Sequence, residues 1–429
     1  MKRSTSRILT THVGSLIRPA ELQDFLRAKQ AGKPYDEKAY QQCLTDSVAE
    51  VVKQQAQAGI DVVSDGEFGK SISWAQYALT RLAGFERRPI VSEAANPFKR
   101  GADRTRFAEF YAELDAKDAV ATTTEAICVG PISYIGQVEL QRDIANFKAA
   151  LTNVQVAEAF LPVAAPASVI PDRKNDYYKS DEEMQVAIAT AMRTEYKAII
   201  DAGFLVQLDD ARSAVSYDRM VPPGSFADYR RWLSQQMDIL NHAIEGLPQD
   251  RIRYHICWGS WPGPHTSDVP LRDIVDIVLR AKVGAFVIEG ANPRHEHEWQ
   301  VWKNAKLGAG QMLIPGVISH ATNVVEHPEL VAERIVRLAR IVGRENVVGG
   351  TDCGFAQSPF HDRAAQFRLC DRHPRIPRRA GDRSALRARR LGRSHGACAF
   401  RLGRRGCQWR PARAGAMARQ RGRRGDDAA

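Results

Sequence analysis

One unit recurs along the first 360 residues and limits what the chain can fold into: an amphipathic helical stretch, a glycine, then a short apolar run ending in polar residues. It reads VVKQQAQAGIDVVSDGE at 51–67, EYKAIIDAGFLVQLDD at 195–210, IVLRAKVGAFVIEG at 277–290 and RIVRLARIVGRENVVGGTDC at 334–353. The glycine can take the left-handed conformation that closes a helix. The Val/Ile/Leu-rich run shows little alternation, as expected of a strand buried on both faces of a parallel sheet. Helix alternating with strand predicts an α/β architecture. Five more apolar runs read as strands: ILTTHVGS (8–15), AICVGPIS (126–133), VAEAFLPVAA (156–165), IRYHICWG (252–259) and MLIPGVIS (312–319). Nine candidates predict a single-domain (β/α)8 TIM barrel over residues 1–360, with one strand outside it. The charged, irregular stretch 85–125 reads as an excursion inserted after the second strand. No G-x-G-x-x-G follows the first strand, which sets aside an open dinucleotide-binding sheet.

Composition bounds the class. With 429 residues, 44% hydrophobic and 26% charged, the chain has ample material for a large soluble core. No apolar run approaches the roughly 20 residues needed to cross a bilayer. The N-terminus MKRSTSRILTTHVGS lacks the apolar segment of a signal peptide, so the expected location is cytoplasmic. The seven cysteines are irregularly spaced, which argues for reduced thiols or metal ligands. The net charge of +11 suggests a nucleic-acid partner until it is located: residues 361–429 hold 20 Arg and five Asp, a net +15, leaving −4 for residues 1–360. This non-globular tail reads either as a disordered, arginine-rich nucleic-acid arm or as out-of-frame translation of a GC-rich gene. The absence of lysine and the abrupt onset favour the second, and a nucleic-acid partner is not expected. On that reading the helix expected after the last strand is missing, which would expose apolar surface.

In such a barrel, chemistry collects where the strands end. The strand ends carry Ser15, Asp65, Glu67, Ser133, Asp209, Asp210, His255, Cys257, Glu289, Ser319, Asp352 and Cys353. His255 and Cys257 lie two residues apart in one strand, so they project from the same face toward one point. Cys353 and Glu289 end other strands. Any one of the four would read as a core residue. Together, an imidazole, a carboxylate and two thiolates form a donor set suited to Zn²⁺. NPRHEHEW (292–299) is not an H-E-x-x-H motif, and His295 and His297 read as members of a solvated loop.

From about residue 8 to 357 the chain resembles the cobalamin-independent methionine synthase family, specifically its catalytic barrel. THVGS, SDGEF, VGPIS, QLDDA, HICW, VIEG, PGVIS and GGTDCG occur in that family's order. The resemblance implies a zinc-activated thiol that is methylated, with His255, Cys257, Glu289 and Cys353 as ligands. It implies that Val13, Gly14 and Ser15 bind the carboxylate of a homocysteine-like thiol, and Glu67 and Asp209 its ammonium. Three features depart from the family: one barrel is read here where the long methionine synthases carry a second, N-terminal one, and two motifs differ. YIGQVE follows GPIS where a folate-stacking tryptophan is usual, and ISHAT follows PGV where D-x-H supplies a proton donor. His320, the nearest histidine, is the candidate catalytic acid, although a continuing strand would turn it to the other face. The implied partners are a small-molecule thiol and a methyl or alkyl donor. Epoxyalkane:coenzyme M transferases, related single-barrel zinc enzymes, are the alternative, with Arg18 and Arg212 as candidate sulfonate contacts.

Overall fold

The computed structural model describes residues 1–70, 74–90, 100–117, 124–169, 174–260, 263–322 and 324–356. Among them the strands are β1 (Leu9–Thr10), β2 (Val62–Ser64), β3 (Phe85–Pro89), β4 (Thr124–Cys128), β5 (Glu158–Ala164), β6 (Lys174–Asn175), β7 (Leu205–Asp210), β8 (Ile252–Ile256), β9 (Ala285–Ile288), β10 (Met312–Ile318) and β11 (Val348–Thr351). Eight form one sheet in the order β1-β11-β10-β9-β8-β7-β5-β2. Its ladders are parallel. The two end strands approach each other, with Asp61 N–H on Thr10 O at 3.1 Å and the Thr11 hydroxyl on Val62 O at 2.9 Å. The result is a nearly closed TIM barrel, as the repeat predicts. The readings of the tail, including the missing helix, lie outside the described residues.

The glycine of the repeated unit does two jobs. Gly59, Gly203 and Gly343 have φ of 81°, 96° and 90° and close their helices in the left-handed region. Gly284 does not; a Cβ there would stand 2.7 Å from Gln249 O, so its role is close approach of two backbones.

The ninth candidate, AICVGPIS, is the one outside. It forms β4, which pairs antiparallel with β3 and parallel with β6 in a separate three-stranded sheet. Ser133 therefore does not follow a barrel strand, contrary to its place among the strand ends. The excursion holds β3 and the helices Ala102–Arg106 and Ala108–Lys117, while residues 91–99 and 118–123 lie outside the described residues. It is anchored on the loop after β8, where the Asp103 carboxylate accepts from Thr266 N at 2.7 Å and the Ser267 hydroxyl at 3.1 Å.

Strand alternation sorts the core into two shells. Val206, Leu208, Tyr254, Ile256 and Phe286 face the helices, in the large outer core. Val62, Phe160, Leu205, Val287 and Ile314 belong to two smaller clusters separate from it. Each fully buried aliphatic side chain contributes about 1.5–3 kcal/mol. The phase that turns Leu205 inward also turns Gln207 and Asp209 inward, and on β8 Arg253 and His255 share one face.

Candidate active site

At the mouth, one ligand atom each of His255, Cys257 and Cys353 lies within 4.8 Å of the others. The two sulfurs are 3.6 Å apart, and the Ser260 hydroxyl lies 3.0 Å from the Cys353 sulfur. His255 is 2% exposed, with Nδ1 on Val287 O at 3.3 Å and Nε2 without a partner among the described residues. The Cys353 thiol is held well below the usual range by its hydrogen bond from Cys257, against burial, with help from His255 and His320. Cys257 is pushed up by that same bond, then by burial and the charge of Cys353. Burial opposes the charge on His255, but Cys353, Asp209 and Glu289 outweigh it and raise its pKa to about 9. An orphaned imidazole nitrogen beside a thiol–thiolate pair fits a soft, borderline cation such as Zn²⁺.

Glu289 stands apart from this trio. Its carboxylate accepts from Trp258 N at 2.8 Å and from Asn292 Nδ2 at 2.7 Å. One of its oxygens groups instead with His320 and Asp352, within 4.8 Å of each other. Asp352 accepts from Gly290 N and Ala291 N, both at 2.8 Å, and from Asn292 Nδ2 at 3.0 Å. Burial pushes the Glu289 carboxyl up, offset in part by His320 and Arg294.

His320 reaches this group because the strand does not continue to it. β10 stops at Ile318, and Ser319 N turns to the Glu326 carboxylate at 2.8 Å. The continuing strand that would turn His320 to the other face is therefore absent. It is 2% exposed, and its Nδ1 has no partner among the described residues.

The head-group candidates follow or lie on β1, β2 and β7, with Asp209 beside His255 in the β7–β8 register. A Cβ on Gly14 would stand 3.3 Å from Glu67 Oε1, so this carboxylate lies against the Gly14 backbone. Glu67 has φ of 61°, a left-handed conformation uncommon for a residue with a side chain. Gln207 Nε2 donates to Asp209 Oδ1 at 2.9 Å and also to Val13 O. Val13 N donates to the Thr351 hydroxyl at 3.2 Å, and Ser15 O accepts from Phe355 N at 2.9 Å. Burial raises Asp209 to about 7, with Glu67 adding to it and His255 and Lys70 opposing. Burial likewise raises Asp65 to about 6, against the pull of Lys70.

Several candidates have other employment. Asp210 accepts from Ser213 N at 2.7 Å and the Tyr254 hydroxyl at 2.6 Å, a structural duty. Arg18 donates to Glu67 O at 2.7 Å. His295 is not in a solvated loop: it is 3% exposed, its Nδ1 lies 2.8 Å from Glu298 and its ring 4.8 Å from Trp258. His297, next to it, is exposed.

Two buried cations were missed from sequence. Lys70 is 6% exposed, donates to Pro162 O and lies 4.7 Å from the Tyr77 ring centre. Arg253 is 1% exposed, bonds Thr11 Oγ1 and His12 O at 3.1 Å each, and lies 3.9 Å from the Phe160 ring centre. Burial lowers its pKa to about 9. The available signal was an arginine two residues before His255, on the same strand face.

A family model described as cobalamin-independent synthase, catalytic domain, matches residues 8–161 and 115–370. The methionine synthase of Sulfolobus acidocaldarius is 23% identical over 353 residues, covering 82% of this chain and 86% of its own length. That of Thermococcus kodakarensis is 22% identical over 346 residues, covering 80% and 86%. The solved structure of a B12-independent methionine synthase from a Shewanella species, in complex with selenomethionine, matches with a TM-score of 0.62 at 20% identity. That match covers 85% of this chain and 96% of the other, and at this identity it speaks for the fold alone. Since the family model spans well over half of its residues, the chain belongs to the cobalamin-independent synthase family, through the catalytic domain.

Proposed function

We propose that this chain is a zinc-dependent S-methyltransferase of methionine biosynthesis that methylates a homocysteine-like amino-acid thiol, with homocysteine as its substrate. The observation that carries this reading is the convergence of His255, Cys257 and Cys353 at the barrel mouth. These three residues would hold the ion, with Glu289 as the fourth ligand. When bound, zinc acts as a Lewis acid that favours the deprotonated thiol.

The chain's own groups do the rest. Val13, Gly14 and Ser15 bind the substrate carboxylate. Glu67 and Asp209 bind its ammonium, whose charge relieves the repulsion between them. Held this way, the sulfur is aimed at the donor's methyl carbon; the S–C bond forms as the bond to the donor's nitrogen breaks. His320 is the proposed acid that returns a proton to that nitrogen. The name shared by the relatives, methionine synthase, agrees with this product.

Against the sulfonate-thiol alternative stands the engagement of Arg18, a candidate sulfonate contact, which donates to Glu67 O at 2.7 Å. Zinc-loaded protein should form methionine from homocysteine and 5-methyltetrahydrofolate, and leave 2-mercaptoethanesulfonate unreacted. Alkylation of the sulfonate by an epoxide, without methionine formation, would overturn the assignment.

A further inference from the structure

We propose that Gln55 and His12 are positioning residues that hold both turns of the thiol's head-group pocket from behind; this rests on the pocket assignment above. Neither residue touches the mouth. Gln55 is 2% exposed and lies in the last turn of the helix Glu37–Gln57. Its amide nitrogen donates to Val51 O at 3.1 Å and Ser64 O at 2.8 Å. Its oxygen accepts from Ser64 N at 2.9 Å and lies 2.7 Å from His12 Nε2.

These partners leave one consistent arrangement. With its nitrogen committed to two carbonyls, the Gln55 oxygen is an acceptor, so His12 Nε2 carries the proton. His12 Nδ1 is then a lone pair, and it accepts the Gly14 N–H at 3.1 Å. Ser64 completes the frame: its hydroxyl donates to Gly14 O at 2.9 Å and accepts from Gly66 N at 3.0 Å.

The two turns tied this way are those with unusual backbone. Gly14 has φ of 137°, Gly66 of 71° and Glu67 of 61°. Left alone, Glu67 would relax to the right-handed or extended region. One buried amide therefore fixes the turn proposed to bind the carboxylate and the turn that presents Glu67 to the ammonium.

The test compares His12→Leu, which removes both bonds, with His12→Asn, whose side-chain oxygen can take the place of Nδ1. His12→Leu should raise the KM for homocysteine and the Kd for methionine at least tenfold, with kcat and zinc content within threefold of the parent. His12→Asn should stay within threefold throughout. Gln55→Met, similar in length but unable to donate, should repeat the His12→Leu result and serves if that variant does not fold. Equal effects of Leu and Asn, or loss of kcat or zinc at unchanged KM, would overturn the proposal. If the parent neither methylates homocysteine nor binds methionine, the pocket assignment fails. Crystal structures of the variants then still decide the positioning: Glu67 should leave the left-handed region in His12→Leu and keep it in His12→Asn, and an unmoved Glu67 in both would refute it.

Discussion

The two sides of the barrel mouth are built differently. On the β1–β2 side every turn is tied down: Gly14 to His12 and Ser64, Gly66 to Ser64, Val13 to Thr351 and Gln207. On the β10 side His320 follows the end of its strand and carries an imidazole nitrogen without a partner among the described residues. The first side is preorganised for one small ligand and gains its affinity by avoiding the cost of ordering. The second offers an imidazole grouped with the Glu289 and Asp352 carboxylates. A donor whose leaving group must be protonated as the bond breaks can use such a group. On the proposed function, recognition belongs to one side and proton transfer to the other.

Between them stand the soft donors, and removing one should have the largest effect. Cys257→Ser and Cys353→Ser should each lower methyl transfer by more than about 10³-fold, because activation of the thiol depends on them. Retained turnover in either variant would detach the trio from the chemistry.

The tied side should show itself in acid. His12 is neutral in the fold, with its pKa lowered to about 4 mainly by burial, against 6.5 when exposed. A lowered histidine pKa gives stability that is complete above the unfolded value and is lost as pH falls toward the folded one. The parent should therefore lose about 3 kcal/mol more than His12→Asn between pH 6.5 and 4, read from denaturant unfolding. Parallel pH profiles would break the contrast from this side.

The fold and the soft donors were legible because they follow periodicity. Helix, glycine and inward-facing strand repeat with a fixed phase, and the two-residue spacing of His255 and Cys257 survives in any regular strand. What periodicity does not reach lies past the strand ends, where phase no longer applies. Glu289 follows Ile288, the last residue of β9, and no spacing announces that its carboxylate accepts from Trp258 N and Asn292. The orientation of His320 depends on the turn of the chain at Ser319 toward Glu326. His295 was read as solvated because nothing in NPRHEHEW reveals the Trp258 ring above it or Glu298 beside it. Gln55 looked like one more glutamine on a helix, since its partners come from segments on either side of that helix.

The loose side gives the next prediction. His320→Asn should lower kcat about 10²-fold while leaving KM, zinc content and unfolding free energy nearly unchanged, the signature expected of a proton donor. A drop in stability instead would place His320 on the tied side. The smallest expected effect belongs to the pocket itself. Glu67→Gln should raise the KM for homocysteine about tenfold, consistent with loss of one charge-assisted hydrogen bond, with kcat preserved. An equal rise for a thiol lacking the amino group would deny Glu67 its ammonium contact.

The central claim is that His255, Cys257 and Cys353 form one metal centre, and zinc content tests it most directly. Protein purified in zinc-supplemented buffer and exchanged against a weak chelator should carry close to one zinc per chain. Cys257→Ser and Cys353→Ser, treated alike, should carry less than about a tenth of that. Near-stoichiometric zinc in both variants would contradict the account.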